Sequence, residues 1–167
     1  MNRLLVAIMS GLLYLPLAAP PAVAGNDLLK QLSGKNDSAD ELLPPDQAFA
    51  VAVTVRDAHS LVATFTPAPG YFLYREKFAF RVLSPPDIRM ASVELPRGEI
   101  KDDPFFGKSE IFHVPVQAVV KLERGKNAAA RDLTLHLKYQ GCNEPLGVCY
   151  LPIEKELGAR LPVLAPR

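Results

Sequence analysis

The stretch Leu133-Thr-Leu-His-Leu-Lys-Tyr139 alternates strictly between apolar and polar side chains. Its leucines and its tyrosine fall on one face of an extended chain, and Thr134, His136 and Lys138 fall on the other. Because successive side chains of a strand point to opposite faces of a sheet, this pattern predicts a strand with one buried face. Antiparallel sheets commonly bury a single face, so the stretch indicates an antiparallel all-β protein.

Further short runs of strand-forming residues surround this stretch, and turns rich in proline and glycine separate them. No window of the chain shows a helical period of 3.6 over three turns. Seven or eight strands in one domain favour an immunoglobulin-like antiparallel β-sandwich, and a closed barrel is the main alternative. The predicted strands are Phe49–Val55, Leu61–Phe65, Tyr71–Tyr74, Phe78–Val82, Met90–Leu95, Ile111–Leu122, Leu133–Tyr139 and Cys149–Leu157.

Cys142 and Cys149 are the only two cysteines of the chain. The residues between them include the turn formers Asn143, Pro145 and Gly147, so we expect an antiparallel hairpin with the two cysteines opposite each other. Cross-strand Cα separations of roughly 4.5–5.5 Å allow a disulfide, so such a pair can open and close without moving the fold. As a staple it is weak, since closing a loop of about eight residues stabilises by roughly 2.5 kcal/mol. Spacing alone therefore leaves a redox dithiol and an inert structural clip equally open.

The first 24 residues have the pattern of a secretory signal peptide. Arg3 precedes the apolar run Leu4–Ala19, and Ala22-Val23-Ala24 provides the small residues of a cleavage site. We predict cleavage after Ala24 and export to a compartment where disulfides persist, with an uncleaved anchor as the alternative. The predicted organisation is a signal peptide over 1–24, a flexible lead-in over 25–44, one domain over 45–160 and a tail over 161–167.

Charge and composition argue against several classes of partner. Of the 19 basic residues only Arg3 lies in the predicted signal peptide, which leaves 18 against 18 acidic residues and a formal charge near zero. Nothing in this balance indicates nucleic acid or an anionic membrane surface. The three histidines are scattered without ligand spacing, so we predict neither a metal nor another cofactor. A metal- or copper-handling domain that uses both cysteines with Met90 or His136 is a minor alternative.

Three segments carry a resemblance when they are taken together. They are Gly70-Tyr-Phe-Leu-Tyr-Arg75, Asp102-Asp-Pro-Phe-Phe-Gly-Lys-Ser-Glu-Ile111, and Tyr139-Gln-Gly-Cys142 with Cys149-Tyr150. In this order they resemble the periplasmic N-terminal domain of the thiol:disulfide interchange protein DsbD, and Pro44-Pro-Asp-Gln-Ala-Phe-Ala50 is similar to that family's entry into its first strand. The resemblance extends over most of Pro44–Leu157. It implies an immunoglobulin-like sandwich with a redox-active cysteine hairpin at one end.

The same resemblance implies a set of site residues. Asp103, Phe105 and Phe106 match a cap loop over the cysteines, and Phe72 and Tyr74 match positions that line the active site. Phe105 would lie against the sulfurs, shield them from stray oxidants and swing away when the correct partner docks; plain core packing is the alternative for both cap phenylalanines. A carboxylate at Asp103 would raise a thiol pKa or accept the thiol proton.

The chain also departs from the family pattern. Phe72 stands where the pattern has a tyrosine, Pro104 stands where it has an acidic residue, and six residues separate the cysteines where five are commoner. Full-length members continue into a multi-helix membrane domain and a thioredoxin-like domain, whereas this sequence ends at Arg167. We therefore expect a stand-alone version supplied by separate proteins, or a truncated product.

These observations together predict a periplasmic thiol–disulfide exchange module. It would accept electrons from a membrane-embedded dithiol donor and pass them to periplasmic thioredoxin-like partners of the disulfide isomerase or cytochrome c maturation type. Transfer would run through a mixed disulfide, with Cys149 favoured over Cys142 as the residue that forms it. We expect a monomer that binds no nucleic acid. The alternative is an exported immunoglobulin-like binding module with a purely structural disulfide.

Overall fold

In the computed structural model, the described residues are 41–104, 106–125 and 129–164. The predicted signal peptide, most of the predicted lead-in, Phe105 and the last three residues of the predicted tail lie outside them. The elements are α1 Pro45–Ala48, β1 Phe49–Asp57, β2 Ser60–Pro67, β3 Tyr71–Tyr74, a 3-10 turn Arg75–Lys77, β4 Ala79–Ser84, β5 Ile88–Glu94, β6 Glu99–Asp103, β7 Gly107–Phe112, β8 Val116–Arg124, β9 Arg131–Tyr139, β10 Gly141–Asn143, β11 Val148–Cys149 and β12 Ile153–Leu161. Among the described residues, no helix has the length and apolar character needed to cross a bilayer.

The strands form three antiparallel sheets, with the orders β1-β2-β8-β5, β12-β9-β4 and β11-β10-β3-β7-β6. The inner faces of the first two sheets share one hydrophobic core. Leu61, Phe65 and Val120 of the first sheet are fully buried in it, as are Leu135 and Leu137 of the second. Two sheets that interdigitate their apolar faces in this way make a β-sandwich. The predicted sandwich is confirmed, and the pairings within the described residues do not close a barrel.

The stretch Leu133–Tyr139 lies in β9 and has the alternating burial that its sequence predicts. In β9 the side chains at Leu133, Leu135, Leu137 and Tyr139 are buried, and the alternate positions are partly exposed. Every residue of β9 pairs with β12, and β4 pairs on its other side. β9 is therefore the central strand of its sheet, which explains why its alternation is the clearest in the chain.

Two of the predicted strands are divided in the structure. The run Ile111–Leu122 ends in β7 at Phe112 and resumes in β8 at Val116, in a different sheet. The run Cys149–Leu157 is likewise divided between β11 and β12. Pro115 and Pro152 lie in the two breaks, and proline has no N–H to continue a ladder. The structure also contains β6 and β10, which were not predicted as strands, so the expected number of seven or eight strands was too low.

The third sheet positions the cysteines. Its central strand β3 pairs with β10 on one side, where Phe72 lies opposite Cys142, and with β7 on the other, where Tyr74 lies opposite Ile111. We call β10–β11, residues 141–149, the cysteine hairpin and β6–β7, with described residues 99–104 and 106–112, the cap hairpin. Phe72, Tyr74, Ile111 and Cys142 form a second small core between the two hairpins, separate from that of the sandwich.

Candidate redox site

Cys142 and Cys149 lie directly opposite each other in the cysteine hairpin and are joined by a disulfide. The predicted pairing is confirmed, although the Cα–Cα distance of 3.9 Å is shorter than expected. Tyr150 N–H donates to the Gly141 carbonyl at 3.0 Å, so the cysteines occupy the neighbouring non-hydrogen-bonded position of the ladder. Strands approach each other most closely at such positions, which places the two sulfurs within bonding reach.

Gly141 allows the cysteine hairpin to pack tightly against β3. A Cβ atom at this position would lie 2.2 Å from the Phe72 carbonyl oxygen and 2.6 Å from the ring of Phe49. No larger residue fits without moving one of these neighbours, and the first of them is backbone. Gly141 therefore determines how closely the next residue, Cys142, approaches Phe72 on β3.

The two sulfurs are not equally accessible. Cys142 is 1% exposed and belongs to the small core, whereas Cys149 is only partly buried at its margin. Both cysteines line a cavity of about 170 Å³, together with Phe72, Lys101 and Asp103. Cys149 is therefore the cysteine that a group entering from solvent meets first.

Tyr74 and Asp103 bring a hydroxyl and a carboxylate to the disulfide. The Tyr74 hydroxyl donates to Asp103 Oδ2 at 2.7 Å and lies 3.2 Å from Cys142 Sγ and 3.8 Å from Cys149 Sγ. Asp103 is 6% exposed, and its Oδ1 accepts the backbone N–H of Phe106 at 3.1 Å. Burial raises the pKa of Tyr74, and the hydrogen bond to Asp103 and its negative charge raise that pKa further. Tyr74 therefore stays neutral and keeps its proton for hydrogen bonding.

The cap turn lies beside this pair of residues. The Phe106 ring packs edge-on against the Tyr74 ring, with 5.0 Å between centroids, and Lys77 Nζ lies 4.0 Å from the Phe106 centroid. Gly107 follows with φ +69°, a left-handed conformation that glycine adopts readily and that closes the turn. Phe106 remains 43% exposed, so it covers Tyr74 from the solvent side. Phe105, predicted to lie against the sulfurs, is outside the described residues.

Phe72 forms the floor of the cavity. Its ring centroid lies 5.1 Å from that of Tyr74 and 5.6 Å from that of His113. Because Phe72 and Cys142 are opposite each other on adjacent strands, their side chains share one face of the sheet. Tyr74 thus supplies the hydroxyl of this site, and Phe72 adds only apolar surface.

Sequence reasoning missed the charged residues at the rim of the cavity. Glu144, in the loop of the cysteine hairpin, accepts a hydrogen bond from Lys101 Nζ, and its Oε2 lies 2.9 Å from His113 Nε2. Lys101 and His113 both come from the cap hairpin or the residue that follows it. In the sequence, Glu144 is recognisable only as an acidic residue among turn formers, and this position does not indicate that it contacts Lys101 and His113.

The tyrosines that flank the site also hold the chain that leads into α1. Tyr150 OH donates to the Leu43 carbonyl at 2.5 Å, and Leu43 N–H donates to the Tyr71 hydroxyl at 2.9 Å. Both backbone groups of Leu43 are therefore engaged by residues adjacent to Cys149 and Phe72. These bonds restrain the position of the segment that follows Cys149.

The described residues contain no group of three or more His, Cys, Asp or Glu side chains arranged to hold a metal ion. Met90 lies on β5 and His136 on β9, both in sheets other than that of the cysteines. His136 instead lies 3.2 Å from Glu154 through its Nε2.

Residues 39–160 match the family model "Thiol:disulfide interchange protein DsbD, N-terminal". The chain is 35% identical over 152 residues to thiol:disulfide interchange protein DsbD 1 of Pseudomonas aeruginosa, covering 91% of this chain and 24% of that protein. It is 36% identical over 115 residues to DsbD of Escherichia coli K12, covering 69% of this chain and 19% of that protein. The chain therefore spans about a quarter or less of the length of these relatives.

Two solved structures from Neisseria meningitidis are also similar. The DsbD N-terminal domain in its reduced form superimposes with a TM-score of 0.62 at 30% identity, covering 72% of this chain and 91% of that one. The DsbD N-terminal domain in complex with the PilB N-terminal domain gives a TM-score of 0.56 at 33% identity, covering 71% and 88%. The sandwich, the cysteine hairpin and these matches lead to one conclusion: the chain belongs to the family of DsbD N-terminal domains.

Proposed function

We propose that this chain is a periplasmic electron carrier that exchanges its Cys142–Cys149 disulfide with the dithiols and disulfides of other proteins. The observation that carries the proposal is the disulfide itself, set in a short hairpin with one cysteine buried and the other at the edge of a cavity. Family membership supports the same reading, because the relatives are named thiol:disulfide interchange proteins.

The transfer takes place in two exchange steps. In the reduced protein the Cys149 thiolate attacks one sulfur of a partner disulfide, which forms a Cys149–partner bond and releases the other partner sulfur as a thiolate that takes up a proton. The Cys142 thiolate then attacks Cys149 Sγ, closes the internal disulfide and releases the second partner sulfur, which is protonated in turn. Two electrons and two protons have then moved to the partner. The greater exposure of Cys149 supports its role in the first step.

Tyr74 and Asp103 serve the second step. In the oxidised structure Cys142 Sγ lies 3.2 Å from the Tyr74 oxygen, and the Tyr74 hydroxyl donates its proton to Asp103. Reduction of the disulfide would leave a Cys142 thiol beside this oxygen. A proton leaving Cys142 therefore has a route through Tyr74 towards a buried carboxylate. The negative charge of Asp103 also opposes formation of a thiolate while no partner is bound, because a like charge nearby raises the pKa of an acid. The resting dithiol is thus slow to react until a partner changes this environment.

The cap hairpin limits access to the sulfurs. Phe106 covers Tyr74, and Pro104 lines the cavity beside the cysteines. We assign Phe105 to the same cap, in line with the family resemblance. Since the bacterial periplasm is kept oxidising, a reductant there needs protection from stray oxidants, and a cap that opens for the docked partner provides it.

We further propose the surroundings in which the carrier works. The predicted signal peptide, cleaved after Ala24, delivers the chain to the periplasm, where residues 45–160 act as one monomeric domain. A membrane-embedded dithiol protein reduces it, and thioredoxin-like proteins receive its electrons. The solved complex of a related DsbD domain with the PilB N-terminal domain supports direct docking of a protein partner.

The reduction potential of the Cys142–Cys149 pair tests this function. Equilibration with glutathione or dithiothreitol buffers is expected to give a value between roughly −180 and −270 mV, the range of exchange-active pairs. A value well below about −300 mV is typical of structural disulfides and would leave the chain as a binding module with a structural clip.

Two cysteine variants test the assignment of roles. Cys142→Ala keeps the accessible thiol and is expected to accumulate a mixed disulfide with an oxidised thioredoxin-like protein, visible on a non-reducing gel. Cys149→Ala is the matched control and is expected to trap little or none, because its remaining thiol belongs to the buried core. Equal trapping by both variants would contradict the assignment of Cys149 as the first attacking residue.

A further inference from the structure

Glu144 connects the cysteine hairpin to the cap hairpin through side-chain contacts. It lies in the loop of the cysteine hairpin, and both of its carboxylate oxygens contact side chains of the opposite, cap side. Lys101 Nζ donates to Oε1, and His113 Nε2 lies 2.9 Å from Oε2 while His113 Nδ1 lies 3.3 Å from Glu99. The hydrogen bond from Lys101, followed by that from His113, lowers the pKa of Glu144, so the carboxylate is charged at neutral pH.

These contacts lie beside the cavity and connect the two hairpins that flank it. β10 and β7 pair with opposite sides of β3, and among the described residues no strand pairing connects the cysteine hairpin directly to the cap hairpin. Lys101 and Glu144 both line the cavity that holds the disulfide. Lys101 Nζ also lies 5.4 Å from the ring of Phe72, which forms the cavity floor. A displacement of the cap hairpin away from the cysteines must therefore separate Lys101 from Glu144.

The contacts within the cysteine loop make Glu144 a fixed anchor. Its backbone N–H donates to the Gly70 carbonyl at 2.8 Å, and its carbonyl accepts the N–H of Gly147 at 3.1 Å. The Asn143 side chain accepts the N–H of Leu146 at 2.8 Å, which closes the same turn. The loop is held by its own hydrogen bonds and by Gly70, whereas β3 pairs with β7 at Leu73–Phe112 and Tyr74–Ile111. The part of the cap hairpin beyond these two pairs, which includes Lys101, is therefore the part that an opening would displace.

We propose that Lys101, Glu144 and His113 form an ionic latch that holds the cap hairpin over the Cys142–Cys149 disulfide and limits the rate at which a reductant reaches it. This proposal rests on the proposed function, because the latch would control access to the disulfide that takes part in exchange. Its three residues act by positioning the cap. Side chains of Lys101 and Glu144 are 27% and 41% exposed, and such pairs shift an opening equilibrium by about two- to fivefold. Salt screens a pair of this exposure, so the latch weakens as ionic strength rises.

The test is the rate at which the oxidised full chain is reduced by tris(hydroxypropyl)phosphine. This reagent is uncharged, so a change of protein charge does not alter its local concentration. Glu144→Gln and Lys101→Gln are expected to be reduced about two- to fivefold faster than the unaltered protein at low salt. Added sodium chloride is expected to accelerate the unaltered protein towards the rate of the variants and to leave the variants nearly unchanged. The exchanged pair Lys101→Glu with Glu144→Lys re-forms the ion pair but not the contact with His113, so it is expected to be reduced more slowly than either single variant and not slower than the unaltered protein.

The chain offers a matched control. Glu154 lies 2.9 Å from Lys138 Nζ and 3.2 Å from His136 Nε2, so it has the same types of partner as Glu144, but in the sheet of β9 and β12. Glu154→Gln is expected to keep the rate and the salt dependence of the unaltered protein. The latch is refuted if Glu144→Gln is reduced at the unaltered rate, or if Glu154→Gln accelerates reduction equally.

This measurement separates the latch from the function that it would serve. The latch is judged by a ratio of rates with a small reagent, and the exchange function by the equilibrium potential of the disulfide. A structural potential with a two- to fivefold rate effect would overturn the function and keep the latch. An exchange-active potential with no rate effect would do the reverse.

Discussion

Replacing Tyr74 with phenylalanine removes one hydroxyl and leaves the ring, with its packing against Phe72 and Phe106, in place. The lost hydroxyl donates a 2.7 Å hydrogen bond to Asp103, a carboxylate that is 6% exposed. Hydrogen bonds to charged groups contribute about 1.5–3 kcal/mol to stability. Without the Tyr74 hydroxyl, the buried carboxylate of Asp103 loses one hydrogen bond and keeps the one from the Phe106 N–H, so we take a value towards the middle of that range. We expect Tyr74→Phe to lower the free energy of unfolding by about 2 kcal/mol at pH 7.

Urea denaturation of the oxidised protein, followed by circular dichroism, measures this difference. Tyr139→Phe is the matched control, because Tyr139 is fully buried and its hydroxyl has no hydrogen-bond partner within the described part of the chain. Removing an unpaired buried hydroxyl is expected to leave stability unchanged or to raise it slightly. Equal losses in the two variants would refute the reasoning, since the effect would then follow from the loss of any buried tyrosine hydroxyl.

The remaining predictions concern backbone packing and alkaline pH. Gly141→Ala brings a Cβ within 2.2 Å of the Phe72 carbonyl oxygen, so we expect urea denaturation to show a free energy of unfolding lower by at least about 2 kcal/mol. Gly158→Ala is the control, because a Cβ at that position meets nothing within 4 Å. Equal stability of the two variants would contradict this account of the hairpin. Burial raises the pKa of Tyr139 from its ordinary value near 10 to about 12, so the unfolded chain releases this proton first and stability falls as pH rises above 10. Between pH 9 and pH 11 the unaltered protein is therefore expected to lose about 1 kcal/mol more than Tyr139→Phe, and parallel pH profiles of the two proteins would show that the shift is absent.

Much of the sandwich could be predicted because its signals are local. The alternation of Leu133–Tyr139 predicts a half-buried strand, and β9 has that burial pattern. The predicted strands at Phe49–Val55 and Leu61–Phe65 correspond to the slightly longer β1 and β2. One error also has a local cause, because Pro115 divides an apolar run that otherwise looks continuous. The polar sequence Glu-Ile-Lys-Asp-Asp of β6 carries no strand signal, and its pairing with β7 decides its conformation.

Only part of the candidate site could be predicted from the sequence. The turn formers between Cys142 and Cys149 predict a hairpin that brings the cysteines together, and the disulfide confirms it. The family resemblance pointed to Tyr74 and Asp103, and the structure places their side chains in contact although they are 29 positions apart in the sequence. Nothing in the sequence indicated that Glu144 contacts Lys101, because that contact depends on how two hairpins flank a third strand.

The sequence by itself determined an antiparallel β-protein with two cysteines opposite each other in one hairpin. Both features follow from residues near one another in the chain, through the two-residue period of a strand and the backbone preferences of turn residues. Only the tertiary structure decided that Cys142 is buried and Cys149 accessible, that a buried carboxylate reaches the disulfide through Tyr74, and that Glu144 is held from the cap side. These features depend on the register of β3 between its neighbours, and register is fixed by packing across the whole sheet.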